Sequence, residues 1–189
     1  MPTTQDAFRQ KKFAHTFQCM DRNGNGHLDF DDYRIIAKEL QALRGYSDED
    51  ARSAGLLRSQ TRIWDELLEH TGKQGAAKIT RDEYVSYLFK LADDTVAAGG
   101  KVPKVAMAIV HAYHRMMDHD GNGSIVASEY TDYLRLMNPK ADGSVVFKLL
   151  SGNKDKIDLD QTEDLMAQYL LATDDASPGS FFLTGNTWL

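Results

Sequence analysis

The chain is short of cysteine, of long apolar runs and of clustered basic charge, and each shortage excludes something. Cys19 is the single cysteine among 189 residues, so no disulfide can close within the chain. That fits a reducing compartment. Cys19 itself reads as a small buried apolar side chain. No apolar run approaches the roughly 20 residues that span a bilayer. The opening Met1-Pro2-Thr3-Thr4-Gln5-Asp6 has neither the charged start nor the apolar core of a secretion signal. Pro2 stands where N-myristoylation needs glycine. A cytoplasmic location without membrane attachment is the expectation. No dense Lys/Arg cluster appears, so nucleic acid is not an expected partner. No nucleophile–base constellation or phosphate-cradling loop appears either, and no enzymatic activity is expected.

What remains is ordinary in bulk. Hydrophobic residues make up 42% and charged residues 26%, with 28 acidic against 22 basic side chains and a net charge of -6. The length suits one domain, or two tightly packed lobes, with a substantial core.

The informative stretch is Asp118-His-Asp-Gly-Asn-Gly-Ser-Ile-Val-Ala-Ser-Glu129. It sets oxygen-bearing side chains at positions 1, 3, 5 and 12 of a twelve-residue loop, with glycine at 6 and isoleucine at 8. That is the chemistry of an EF-hand calcium loop. Asp118, Asp120 and Asn122 each offer one oxygen, Ser124 its backbone carbonyl, and Glu129 both carboxylate oxygens. Gly123 permits the sharp turn.

A second copy is Asp21-Arg-Asn-Gly-Asn-Gly-His-Leu-Asp-Phe-Asp-Asp32. Asp21, Asn23 and Asn25 take positions 1, 3 and 5, and His27 is the backbone ligand at 7. Asp29 at position 9 is expected to compensate in part, through a bound water. Position 12 is Asp32, one methylene shorter than glutamate. Losing one oxygen moves the site towards six-fold coordination, which suits magnesium. Loop 1 is therefore expected to bind calcium more weakly than loop 3, or to hold magnesium at rest.

The helices after these loops share a pattern. Tyr33, Ile36, Ala37 and Leu40 follow loop 1, and Tyr130, Tyr133, Leu134 and Met137 follow loop 3. Both sets mark one helical face. The pattern returns at Tyr84, Tyr87, Leu88 and Leu91, and more weakly at Thr162, Leu165, Met166 and Tyr169. The repeat predicts four helix-loop-helix units. Loop 2 offers Gly72, Gln74 and Ala76 at positions 1, 3 and 5, and Glu83 alone cannot hold an ion. Loop 4 starts at Leu150 or at Ser151, depending on whether Ile157 or Phe147 sets the register. Gln161 closes it with a neutral side chain, and it too is expected to bind no metal. The silent loops would pair with the binding ones, Leu28 against Ile79 and Ile125 against Ile157.

The predicted fold is all-α, with four EF-hand units in two paired lobes joined by short antiparallel loop contacts. The N-terminal pair covers 1–96, a linker 97–102, and the C-terminal pair 103–189. The helix before loop 2 is expected to start from Ser47 as N-cap and to bury Leu57, Thr61, Trp64 and Leu68. Pro103 is placed in the first turn of the helix running to Met117, and Pro139 ends the exit helix of loop 3. The aromatics Phe181, Phe182 and Trp188 of the tail are expected to pack back onto the body.

With loop starts at 21, 72, 118 and roughly 150, the chain resembles the sarcoplasmic calcium-binding protein family, and calerythrin-like proteins of bacteria look closest. The resemblance covers nearly the whole chain. It implies a compact helical protein that buffers calcium or carries a calcium signal, with loops 1 and 3 binding. The silent fourth loop departs from calerythrin-like proteins, so three-ion stoichiometry does not carry over.

Three functions compete. The first is a monomeric buffer or store of intracellular calcium with two sites, loop 1 tolerating magnesium. The second is a sensor that opens an apolar groove for an unidentified protein target; Met107, Met116, Met117, Met137 and Met166 would line such a surface, although methionines at helical spacing are more often core. The third is luminescence, since coelenterazine photoproteins share the layout. Trp64, Trp188, His111 and His114 form no matching set for that. His111 and His114, with His119 nearby, lack further ligands at a zinc-like spacing.

Overall fold

The computed structural model describes residues 4–75 and 77–185. Trp188 and Ala76 lie outside the described residues. Among the described residues there are eight α-helices: α1 Thr4–Met20, α2 Phe30–Leu43, α3 Ala51–Thr71, α4 Arg81–Ala97, α5 Met107–Met117, α6 Ala127–Met137, α7 Gly143–Ser151 and α8 Leu159–Leu171. Four short strands lie in the loops: β1 His27–Leu28, β2 Ile79–Thr80, β3 Ser124–Val126 and β4 Lys156–Asp158. The architecture is all-α, as the repeat predicts.

The strands pair antiparallel, β1 with β2 and β3 with β4. Leu28 faces Ile79, and Ile125 faces Ile157, so the position-8 register holds in both pairs. All four of these side chains are fully buried. A helix-loop-helix unit cannot cover its own apolar stripe, and the paired units bury theirs in one core that runs from Phe13 to Leu183.

The helical faces after the loops are buried throughout, from Tyr33, Ile36 and Leu40 to Leu165 and Tyr169. Rings lock the elements together. Phe17 lies 6.0 Å from Tyr84, Tyr33 lies 5.2 Å from Trp64, and Phe13 of α1 lies 5.9 Å from Tyr169 of α8. Met116, Met117, Met137 and Met166 are core residues here, and Met107 packs partly buried against the core. Cys19 is buried, and desolvation pushes its thiol up to about 11.

Three local expectations need correcting. The N-cap of α3 is Asp50, not Ser47: its carboxylate accepts from the Arg52 amide, while Ser47 gives only its carbonyl, to the Ser53 hydroxyl at 2.7 Å. A carboxylate one residue before the helix outcompetes a more distant hydroxyl. The buried face of α3 is Leu56, Ile63, Trp64 and Leu67, and Leu57 is exposed, so the stripe is rotated by about one residue. Pro103 caps a 3-10 turn, Lys104–Ala106, and α5 begins only at Met107. The helix after loop 3 does stop just before Pro139, with Asn138 as its C-cap.

The tail packs back. Phe182 is fully buried, and Phe181 is packed against the core. The Tyr130 hydroxyl donates to the Phe182 carbonyl at 2.8 Å, the Tyr133 hydroxyl to the Leu183 carbonyl at 3.1 Å, and the Asn138 amide to the Thr184 carbonyl at 2.6 Å. Three buried polar groups of α6 and its end are thereby satisfied.

Candidate metal centre

Loop 3 is built from its glycines outwards. Gly123 has φ of +84°, a left-handed conformation that costs a residue with a side chain strain. The turn points successive amides at the Asp118 carboxylate: Gly121 and Asn122 donate to Oδ1 at 3.0 and 3.1 Å, and Gly123 to Oδ2 at 2.9 Å. Asn122 Oδ1 accepts from the Ser124 amide at 2.9 Å, and Ser124 is buried in β3. Glu129 enters from the first turn of α6. Its Oε1 accepts from the His119 amide at 2.9 Å and its Oε2 from the Val126 amide at 2.9 Å, so it ties both ends of the loop together.

The outcome is a tight carboxylate cluster. Among the described residues, Asp118, Asp120 and Glu129 are the one group of three ionisable side chains whose ligand atoms all lie within 4.8 Å of one another. Glu129 is buried, where like charges repel strongly. A divalent cation suits this donor set, because hard oxygens at short range are what calcium takes. His119 Nδ1 also approaches Glu129 Oε1 at 2.7 Å. The sequence pattern does not announce that contact.

Loop 1 follows the same plan. Gly26 turns at φ of +82°. Asp21 accepts from Asn25 and Gly26, and the Asn23 and Asn25 side-chain oxygens accept from Asn25 and His27. Asp32 accepts from the Arg22 amide at 2.9 Å on one oxygen and from the Asp29 amide at 3.0 Å on the other. It therefore repeats the position of Glu129 with a shorter arm. Burial raises its carboxyl above the ordinary range, against the hydrogen bonds from Asp29, Asn23 and Arg22. Asp29 is engaged as the N-cap of α2, accepting from Asp31 at 2.9 Å.

Loops 2 and 4 are bridged by their own side chains. Both begin with a glycine in the left-handed region, Gly72 and Gly152, directly after the entering helix. Asp21 and Asp118 hold that place in the other two. Leu150 and Ser151, the two candidate starts of loop 4, are both still helical, so the loop is shorter than either register implies. There the Gln161 amide donates to the Leu150 carbonyl at 2.9 Å and bridges start to end. In loop 2, the Lys73 ammonium lies 2.7 and 2.8 Å from the two oxygens of Glu83 and 2.7 Å from the Lys78 carbonyl. Lys78 and Glu83 hold positions 7 and 12, both ion ligands in a binding loop. A lysine at position 2 of a ligand-poor loop is the signal that sequence reading passed over.

The three histidines part company. His111 Nε2 meets Glu163 at 3.1 Å, His114 Nδ1 meets the Thr162 hydroxyl at 2.8 Å, and His119 meets Glu129.

No family model matches the chain. Two curated relatives are calcium-dependent protein kinase 4 of Plasmodium berghei (strain Anka), 27% identical over 82% of this chain and 27% of that protein, and its counterpart in Plasmodium falciparum (isolate 3D7), 25% identical over 84% and 28%. The chain thus spans about a quarter of the length of the curated relatives it matches. Solved structures align over nearly the full length. They include the calcium-loaded apo form of coelenterazine-binding protein from Renilla muelleri (TM-score 0.77, 17% identity, 98% of this chain and 99% of that one). A sarcoplasmic calcium-binding protein from amphioxus gives 0.68 at 20% identity over 93% and 96%. A Streptomyces coelicolor calcium-binding protein gives 0.65 at 22% identity over 86% and 97%. The chain has the EF-hand fold that these proteins share.

Proposed function

We propose that this chain binds two calcium ions, at loops 1 and 3, and serves as an intracellular buffer or store. The carboxylate cluster of Asp118, Asp120 and Glu129 carries the reading. Asn122 and the Ser124 carbonyl would complete the loop 3 site. Asp21, Asn23, Asn25, Asp32 and the His27 carbonyl would form the loop 1 site, with calcium bound less tightly or magnesium held at rest. A bound ion supplies charge neutralisation. The chain's own part is to preset the amides that orient each carboxylate, so little ordering is left to the moment of binding.

A buffer need not open. The buried methionines and the silent loops that close on themselves favour that reading over a sensor for a protein target. Among the described residues no helix is long and apolar enough to cross a membrane. We read the chain as a cytoplasmic monomer without enzymatic activity; the single buried cysteine supports the reducing compartment. The two lobes, 1–96 and 103–189, would each hold one ion.

The fold is also that of a protein that binds coelenterazine. Here the space between Tyr33, Tyr84, Tyr87, Tyr113 and Tyr169 is a cavity of 40 Å³. That is room for a few waters, not for a ligand of that kind.

The test is a calcium titration over millimolar magnesium, with binding heat and the fluorescence of an uncharged apolar dye read in one sample. Two calcium-binding events with flat dye fluorescence support the closed buffer. A dye signal that saturates with calcium turns the reading to a sensor. Absence of calcium heat removes the proposal.

A further inference from the structure

Beside loop 3 lies a cleft of 880 Å³, bounded by the α2–α3 connection with the start of α3 on one side and by the end of α5 with loop 3 on the other. Its volume is in the range of sites that hold small organic ligands. Arg44, Arg52, Arg58 and Arg115 all line it. Four guanidinium groups on one cleft is an unusual concentration for a chain of net charge -6.

The arginines differ in how they are held. Arg52 stacks on Tyr46, 4.0 Å from the ring, and is clamped by Asp50, with Nη2 at 2.6 Å from Oδ2. Its orientation is set, and since Asp50 takes both Nε and Nη2, Nη1 is the nitrogen left for another acceptor. Arg44 is partly buried, and its Nε and Nη2 are buried atoms with no hydrogen-bond partner among the described residues. Buried guanidinium N–H groups without an acceptor are rare, because desolvation is not repaid. Asp132 and Glu129 lie close enough to act on the Arg44 charge but accept from neither of these nitrogens, which leaves both N–H groups for a further acceptor. Arg58 and Arg115 are exposed and form no ion pair among the described residues. Leu56, Leu159 and the Tyr46 ring give the cleft an apolar side.

We infer that this cleft binds a small organic oxyanion, a carboxylate or phosphate carried on an apolar body, and that calcium on loop 3 tightens it. The fork of arginine matches both oxyanions bidentately, and the shared chemistry does not depend on which is used. The calcium part rests on the proposed function. Asp118 and Asp120 also line the cleft and oppose the anion. A divalent ion held by those carboxylates cancels their charge and leaves the arginines in excess. Linkage then works both ways: the anion tightens calcium by the same factor.

The experiment is calorimetric titration of the full chain with phenyl phosphate, benzoate and the uncharged benzyl alcohol, in chelator and in saturating calcium. At least one of the two anions should saturate while benzyl alcohol does not, and the better anion identifies the oxyanion. Arg58→Gln with Arg115→Gln, both on exposed side chains, should weaken that anion tenfold or more with the melting temperature unchanged. Calcium should tighten it about five-fold or more. Benzyl alcohol binding as well as the anions, or a double variant binding like the parent, overturns the site. Equal anion affinity in chelator and calcium overturns the coupling. An anion that binds in chelator from a chain showing no calcium heat sinks the calcium reading and leaves the cleft standing. Calcium heat with neither anion bound does the reverse.

Discussion

The ammonium of Lys73 stands between both oxygens of Glu83, at 2.7 and 2.8 Å, while also donating to the Lys78 carbonyl. A covalently attached cation thus occupies the ligand pair that an ion would use. The same contact holds the Glu83 carboxyl down to about 2, with the Thr80 amide adding to it.

Lys73→Met should leave calcium stoichiometry at two, because Gly72 and Gln74 still supply no side-chain carboxylate. The pair is partly exposed, so the melting temperature should fall by no more than about 3 °C, equally in chelator and in calcium. Calorimetry in both conditions checks this, and a third calcium site in the variant would refute it.

Loop 3 should be the tighter site. Glu129→Gln should abolish most high-affinity calcium binding, while Asp32→Ala should spare it. Titration of each variant ranks the loops, and the opposite order would invert the assignment.

Asp32→Glu should shift loop 1 towards calcium, by restoring the second oxygen at position 12. The measured quantity is the ratio of calcium to magnesium affinity at the weaker site. An unchanged ratio removes the six-fold argument.

Calcium should stabilise the fold. An ion at a hundred times its dissociation constant adds about 2.7 kcal/mol, or a melting temperature higher by about 5–10 °C for a chain of this size. A melting temperature indifferent to chelator would contradict both sites.

Lys12 gives a pH prediction. It is fully buried, donates to the Ala172 carbonyl at 2.9 Å and lies 5.0 Å from the Tyr169 ring. Desolvation, helped by Arg9, lowers it from 10.5 to about 7. Between those values the unfolded chain holds the proton that the folded chain has lost, so this group's contribution to stability rises with pH there. Its penalty is complete at pH 7 and below and fades towards pH 10. Lys12→Met should therefore raise the melting temperature at pH 7, with the gain shrinking as pH approaches 10. A pH-independent gain would mean that packing, not charge, is responsible.

The loops were legible because their chemistry is local. Asp118 to Glu129 specifies a turn, an amide cradle and a closing carboxylate within twelve residues, and Ile125 opposite Ile157 follows from pairing such loops. The periodic faces of α2, α4 and α6 were legible for the same reason. Leu57 was misplaced because α3 mixes Gly55, Ser59 and Gln60 into its stripe, and a one-residue rotation leaves the pattern nearly as good. Asp50 escapes notice as a cap because four acidic or hydroxyl residues, Ser47, Asp48, Glu49 and Asp50, crowd the start of α3. The arginine cleft was out of reach. Arg44 and Arg115 meet only through tertiary packing, and no spacing along the chain records it.

The antiparallel contact between each binding loop and its self-closed partner has a consequence for dose response. A pair of two binding loops can fill cooperatively, because the first ion rearranges the second site. Here the partner loop already sits against its strand with an internal cation or an amide bridge. On the proposed two-ion reading each binding loop would then fill as an independent single site, with occupancy climbing from about a tenth to nine-tenths over roughly two decades of free calcium. A protein of that kind would damp a calcium transient in proportion to its size, without a threshold.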